Sequence, residues 1–357
     1  MLKPGPGDNK PGKVIDTCVP TLGASIAEVC ASPRPDIEVL IAEGVGFVGN
    51  DTSGVGAALA AVAQADVVVI AVGYTNRDVE REGADHNYTV LPPVQAQFAG
   101  QVLAAAKARG VPVVMVLINA GQIAVDTLLP APDALVEAFY PAFGAPALAR
   151  QLFGLENHWG RLPYTIYESS FAGRISLFDM NVSGDPGRTW RYYKGAPNYK
   201  FGDGLGYAVF SLACSGPPPS LPAGPALALS IACNSTFAGS PAGLTSGDEV
   251  LLVLHRPGPD VVASVGGRHP VPFGSLRGFE RVALTAGGGA VGTAFPLAAA
   301  DFALIDNSGA AVLYPGTHFF DVSPRAPGAP ITLQVTLTGS APVVLSQPPP
   351  LPPPRAA

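Results

Sequence analysis

The run Ala65-Asp66-Val67-Val68-Val69-Ile70-Ala71-Val72-Gly73 carries apolar, mostly β-branched side chains at consecutive positions, with no polar alternation after Asp66. A strand with one solvated face alternates apolar and polar residues, so a run of this kind belongs in a sheet covered on both faces. Similar runs follow at 111–118 and at 134–140, and the segments around them have helical spacing. From Thr52 to Gln64, Val55, Leu59, Val62 and Ala63 share one face. From Pro93 to Arg109, Phe98, Val102, Leu103 and Ala106 do the same, and Gly110 is the stop. Ala145 to Phe153 is a third helix, ending at Gly154, and Asp36-Ile37-Glu38-Val39-Leu40-Ile41 is strand-like. Strands alternating with helices of this length predict βαβ units and an α/β fold with a parallel sheet.

That fold constrains where chemistry can lie. In open α/β sheets, ligands bind beyond the carboxyl ends of the strands. The segment after the first buried run reads Glu80-Arg81-Glu82-Gly83-Ala84-Asp85-His86-Asn87-Tyr88-Thr89-Val90-Leu91-Pro92. Glu80, Glu82 and Asp85 are therefore the first candidates for function. Taken by themselves, three acidic residues in a loop are also the composition of a solvated turn.

The rest of the chain has a different texture. Ser215-Gly216-Pro217-Pro218-Pro219-Ser220 has no regular pattern and reads as a linker, and the helical signal ends there. Beyond it, Val250–Leu254, Arg281–Leu284, Phe302–Ile305 and Thr317–Val322 are short apolar runs punctuated by turn residues, the pattern of an antiparallel sandwich. Gln347-Pro348-Pro349-Pro350-Leu351-Pro352-Pro353-Pro354 is a polyproline stretch. A net charge of −6 gives no basic footprint for nucleic acid, and no apolar run is long enough for a membrane span. Cys18, Cys30, Cys214 and Cys233 fall into two local pairs, which suit either two disulfides or four buried thiols. No spacing supports zinc, no metal or cofactor is implied, and His255, His269 and His318 read as isolated surface residues. Asn50, Asn87, Asn181 and Asn234 each begin a glycosylation sequon, while the first residues, Met1-Leu2-Lys3-Pro4-Gly5-Pro6-Gly7-Asp8, lack the apolar core of a signal peptide.

Several segments, in order, resemble glycoside hydrolase family 3, most closely its plant-type β-xylosidase/α-arabinofuranosidase branch. They are the Glu-x-Glu-Gly-x-Asp loop at 80–85, Val113–Gly121, Phe139-Tyr140-Pro141-Ala142-Phe143-Gly144, Leu152-Phe153-Gly154 and Gly160-Arg161-Leu162-Pro163-Tyr164-Thr165. Pro186-Gly187-Arg188-Thr189-Trp190-Arg191 and Phe201-Gly202-Asp203-Gly204-Leu205-Gly206-Tyr207 continue the likeness. It departs where Ala142 replaces a Gly and where His86 replaces an Arg. It implies a parallel-sheet α/β sandwich domain at 14–212, a linker at 213–221 and a fibronectin type III-like domain at 222–340. Residues 1–13 form a disordered N-terminus and 341–357 a Pro-rich tail. Gly247–Val250, Leu276–Arg281 and Tyr314–Thr317 carry the fibronectin part of the likeness.

The implied activity is retaining exo-glycosidase chemistry on oligosaccharides or aryl glycosides. It needs a nucleophile and an acid/base carboxyl about 5 Å apart. In the family the nucleophile comes from a (β/α)8 barrel upstream, in cis or in trans. The acid/base comes from this loop, as Glu82 with Glu80 the rival, while Asp85 and His86 bind substrate or order the loop. By this reading the chain carries one half of a site and is inactive alone. The whole protein would be secreted, or sent to cell wall or vacuole. The alternative is a stand-alone, non-catalytic module that binds carbohydrate or protein. Arg161, Arg188 and Arg191 are expected to tie loops together. Trp190 and Tyr192 are expected in a core or interface before a sugar site.

Overall fold

A computed structural model of the chain describes residues 19–47, 49–74, 83, 88–176, 178–325 and 328–347. It divides into two compact units. The first holds the chain to Leu155 together with Thr165–Met180 and Ala196–Lys200. The second holds Glu156–Tyr164, Asn181–Gly195 and everything from Phe201.

The first unit is the α/β part. Its elements are α1 (Leu22–Ala31), α2 (Val55–Val62), β1 (Val68–Gly73), α3 (Pro93–Arg109), β2 (Val113–Ile118), β3 (Ala134–Glu137) and α4 (Ala145–Leu152). Among the described residues the strands form one parallel sheet in the order β1-β2-β3, in register from Val68 opposite Val113 and from Val114 opposite Ala134. Proline at the first position of α3 costs no hydrogen bond, and Gly110, at φ 69°, ends the helix in the left-handed conformation that a Cβ disfavours. The buried face of α3 (Phe98, Ala99, Val102, Leu103, Ala106) shares a core with Ile70, Val72, Met115 and Leu117 of the sheet. Each large side chain there contributes about 1.5–3 kcal/mol by leaving water. A second cluster joins Ile26, Val29 and Cys30 of α1 to Ala149 of α4.

Among the described residues one expected βαβ unit is present, β1-α3-β2, while β2 and β3 are joined without a helix and one expected strand is absent. Residues 36–41 join no sheet. Ile37 and Val39 pack against the α1–α4 cluster while Leu40 and Ile41 stay exposed, so the apolar alternation serves a packed, extended segment with no ladder.

The second unit opens with α5 (Thr189–Tyr192). It continues with β4 (Val209–Ser215), β5 (Ser220–Pro222), β6 (Ala228–Gly239), β7 (Ser246–Pro257), α6 (Pro259–Val265), β8 (Ser275–Thr285) and β9 (Val291–Ala298). It ends with α7 (Ala299–Phe302), β10 (Leu304–Ile305), β11 (Ala311–Leu313), β12 (Gly316–Ser323), β13 (Ile331–Thr338) and β14 (Val343–Ser346). One sheet runs β5-β13-β12-β7-β8, a second β4-β6-β9 and a third β10-β11-β14. All pairings are antiparallel except β5 with β13. Inward residues of the first two sheets, among them Ile231, Leu251, Val253, Phe295, Phe320 and Val335, form one core. The fold is thus an α/β domain followed by a β-sandwich.

Four expectations for this unit need correction. The segment 213–221 is not a free linker: 213–215 lie in β4 and 220–221 in β5, leaving the prolines between two paired strands. The helical pattern does not end there either, because α6, opened by Pro259 and closed by Gly266 at φ 60°, packs Val261 and Val265 into a small apolar cluster. Phe302 ends a helical turn and only Leu304–Ile305 of its run is strand. Residues 343–346 of the expected tail pair with β11.

The histidines are corrected most sharply, since His255, His269 and His318 are all buried. His318 Nε2 lies 2.9 Å from the Tyr314 carbonyl oxygen, and His318 Nδ1 lies 2.9 Å from His255 Nε2. A carbonyl only accepts, so in the neutral pair His318 donates through Nε2 and accepts from His255 at Nδ1. Two rings that read as isolated in sequence meet because β7 and β12 pair antiparallel, with His255 opposite Phe320.

Cys214 and Cys233, directly opposed on β4 and β6, form a disulfide. Cys30 is a free, buried thiol whose pKa burial pushes up, so the other local pairing is not made; Cys18 lies outside the described residues. Among the described residues no group of His, Cys, Asp and Glu has the arrangement of a metal site, and no helix is long and apolar enough to cross a membrane.

Arg161 behaves as expected of a loop tie. Its guanidinium donates to the carbonyls of Gly202 (2.6 Å), Val250 (2.9 Å) and Ser323, and to Ser323 Oγ (3.0 Å). Burial, partly offset by Glu249, holds its pKa down at about 10. Beside it Arg325 and Glu249 form an ion pair at 3.3 Å, both side chains almost fully buried.

Candidate functional site

The four residues singled out in the sequence, Glu80, Glu82, Asp85 and His86, lie outside the described residues. The frame that holds both ends of their loop is described in detail. β1 ends at Gly73, where φ is 155° and a Cβ would stand 1.9 Å from the Ile118 carbonyl oxygen. Only glycine fits that approach. Gln95, buried in the first turn of α3, donates through Nε2 to the carbonyls of Gly73 and Phe47, each at 2.8 Å. Its Oε1 accepts from Gly73 N, also at 2.8 Å. The side-chain amide thereby replaces a neighbouring strand on the free edge of β1 and fixes where the loop departs.

Tyr74 follows, buried, with its backbone N–H donating to Ile118 O at 3.0 Å and its hydroxyl donating to the Val90 carbonyl. That hydroxyl braces the entry of the loop against its exit. Thr89 O accepts from Ala124 N at 2.6 Å, so the exit is pinned as well. Within the loop, Gly83 sits at φ 71°, a left-handed turn immediately after Glu82.

The neighbouring strand ends contribute polar groups that sequence reading did not select. Asn119, fully buried after β2, donates through Nδ2 to the Gly121 carbonyl and reaches Glu137 Oε2 at 3.5 Å, and its backbone N–H donates to Phe139 O at 3.1 Å. Glu137 closes β3 and accepts from Phe139 N through Oε1 at 3.3 Å; Phe139 itself holds φ 52°. The signal for Glu137 was present, as the one charged residue of the run 134–140. Gln95 had none, being a polar residue on a helix whose neighbours gave no reason to bury it. The parallel register brings Gly73, Ile118 and Glu137 to one edge. That edge presents a buried amide and the Glu137 carboxylate, where an α/β sheet holds its ligands.

Fold and strand-end geometry together define an α/β domain with the Glu137 carboxylate at the end of its sheet, followed by a β-sandwich. Comparison with known proteins identifies the lineage: residues 11–207 match the glycosyl hydrolase family 3 C-terminal domain, and the chain belongs to that family. It is 30% identical over 342 residues to a probable exo-1,4-β-xylosidase of Aspergillus fumigatus, covering 90% of this chain and 42% of the relative. It is 36% identical over 174 residues to β-D-xylosidase 1 of Arabidopsis thaliana, covering 47% of this chain and 22% of the relative. The chain therefore spans less than half the length of these relatives. A β-glucosidase of Listeria innocua with isofagomine superposes with a TM-score of 0.70 at 25% identity, over 90% of this chain and 43% of the enzyme. A family 3 exo-β-xylosidase superposes with a TM-score of 0.71 at 23% identity, over 91% of this chain and 42% of that one, and supports the fold alone.

Proposed function

We propose that the protein supplies the acid/base half of a retaining exo-glycosidase of the β-xylosidase, α-arabinofuranosidase or β-glucosidase type. Glu82 would protonate the leaving oxygen and then activate water, with Glu80 the rival for that role, and Asp85 and His86 would order the loop and contact the sugar. A (β/α)8 barrel, in cis or in trans, would supply the nucleophile and most of the sugar subsite. The 357 residues alone would then bind or present a carboxylate without turnover. The observation that carries the reading is the braced departure of the carboxylate loop from β1, through Gly73, Gln95 and Tyr74, at the ligand-facing edge of the sheet.

The remaining assignments rest on the same reading. Residues 222–340 form a fibronectin type III-like module, sequons other than Asn181, whose amide oxygen is already held by Ser183 and Gly184, carry glycans, and the whole protein is secreted or delivered to wall or vacuole. The test is an assay on aryl β-xylosides and β-1,4-xylo-oligosaccharides, with the chain alone and joined to a family barrel. No turnover is expected alone. With the barrel, Glu82→Gln is expected to slow hydrolysis of unactivated substrates by about 10²–10⁴-fold. It should act more weakly on aryl glycosides whose leaving group needs no proton, and azide should restore part of the rate. Turnover by the chain alone that Glu82→Gln abolishes would overturn the half-site reading. Full activity of Glu82→Gln beside the barrel would move the role to Glu80.

A further inference from the structure

We propose that the sandwich-bearing unit holds a saccharide-binding cleft of its own, which takes short oligosaccharides and favours those with an acidic substituent. The cleft has a volume of about 520 Å³ and lies where the segment Asn181–Gly195 meets the turn after α6. That size lies within the ~300–1,000 Å³ of pockets that hold small ligands. Its useful side chains are Asn181, Tyr192, Lys194, His269, Phe273 and Asn307.

The walls are built before any ligand arrives. Asn181 Oδ1 accepts from Ser183 N (3.1 Å), Ser183 Oγ (2.8 Å) and Gly184 N (3.1 Å). Asn307 Nδ2 donates to Arg268 O at 2.7 Å. His269 is fixed at both nitrogens, 3.0 Å from Pro270 O and 2.9 Å from the Tyr314 hydroxyl. The two sides are tied by Phe273 N donating to Arg191 O at 2.8 Å. Groups already held in place lose little freedom on binding.

The composition selects the ligand. Phe273 is 53% exposed, an aromatic ring at the surface beside amide and hydroxyl side chains. Tyr192 also lines the cleft, with the Arg191 guanidinium 5.5 Å from its ring centroid. Flat rings accept the C–H face of a pyranose, while amides and hydroxyls offer the mixed donors and acceptors that sugar hydroxyls need. Among the described residues no carboxylate lines the cleft, whereas Lys194 does. Its partner Asp185 is 3.9 Å away with both side chains largely exposed, a pair that holds the ammonium weakly. An acidic group on the sugar can therefore compete with the exposed Asp185 carboxylate for the Lys194 ammonium.

The experiment is calorimetric titration of the full 357-residue chain with xylotriose and with xylotriose carrying one glucuronic acid. It is read in parallel by the fluorescence of Trp190, which packs against Gly274 next to Phe273. Dissociation constants on the order of 0.1–1 mM are expected, the acidic sugar binding several-fold tighter. Phe273→Ala and Asn307→Ala should each weaken both sugars by about tenfold. Lys194→Met, an exposed change, should remove only the advantage of the acidic sugar, and unchanged melting of the variants shows they fold. No saturable binding up to about 10 mM, or binding untouched by Phe273→Ala and Asn307→Ala, overturns the cleft. An acidic preference that survives Lys194→Met overturns the charge assignment. The measurement involves no turnover, so its outcome is independent of the proposed glycosidase role.

Discussion

Lowering the pH from 7.5 to 5 should destabilise the sandwich-bearing unit through two rings. Burial, reinforced by His318, Arg277 and Arg256, holds the pKa of His255 well below the ordinary 6.5. Burial also lowers that of His318, against the opposing Tyr314 carbonyl and Asp260. A proton on His318 would make both its nitrogens donors and set Nδ1 against the donating Nε2 of His255. The folded state thus takes up fewer protons than the unfolded state below pH 6.5, and stability falls as pH drops, approaching 1.36 kcal/mol per pH unit per ring. If neither ring protonates while folded, the loss at pH 5 is about 2 kcal/mol for each and about 4 kcal/mol for the pair, a large share of a typical domain stability of ~5–15 kcal/mol. Asp260 and Asp306 have pKa values lowered below 3.8, so their contribution, present above that value, is lost only at more acid pH. Both tryptophans, Trp159 and Trp190, belong to this unit, so their fluorescence reports its unfolding and not that of the α/β unit. Denaturant melts at half-unit pH steps measure the slope. His255→Phe sits among Phe302 and Phe320, leaves His318 Nδ1 without its donor, and should cost about 1–3 kcal/mol at pH 7 while roughly halving the slope. A wild-type curve flat from pH 6.5 to 5, or equal slopes in both proteins, would refute the argument.

Three further outcomes follow from the frame and the core. Gly73→Ala places a Cβ 1.9 Å from Ile118 O and should displace the end of β1, costing at least about 3 kcal/mol and appearing as faster amide exchange in β1 and β2. Removing one partner of the Arg325–Glu249 pair, by Glu249→Leu, should cost about 3–5 kcal/mol. Adding Arg325→Met should recover most of that loss, and a double variant as unstable as the single would count against desolvation as the cause. Cys214→Ser with Cys233→Ser opens a 19-residue separation and should lower stability by about 3 kcal/mol, read as a fall in the denaturant midpoint that reducing agent reproduces in the wild type.

The parallel sheet was legible because its central strand β2 is buried on both faces and β1 largely so, and the runs at 66–72, 111–118 and 134–140 are continuously apolar apart from Asp66 and Glu137. The ends of α3 and α4 were legible because Gly110 and Gly154 take left-handed φ values that few other residues accept. Residues 36–41 misled because alternating apolar residues pack equally well against helices and in a ladder. The prolines at 217–219 misled in the opposite direction, since they forbid pairing only where they stand, and the strands resume on either side.

The candidate site divides along the same line. Glu80, Glu82 and Asp85, which lie outside the described residues, stood out in the sequence by charge in a loop, a signal that local sequence carries. Gln95, Asn119 and the His255–His318 pair did not, because a polar side chain is buried only where distant backbone supplies its partner: Phe47 and Gly73 for Gln95, Tyr314 for His318. These residues determine how the ends of β1 and β2 are held and how the sandwich answers to pH. A substitution at Gln95 should therefore loosen the end of β1 and change the path by which the chain leaves Gly73, read as faster amide exchange at Gly73 and Tyr74. The physical reason is that the amide of Gln95 acts as a strand edge, and an edge sets the direction in which the next residues leave the sheet.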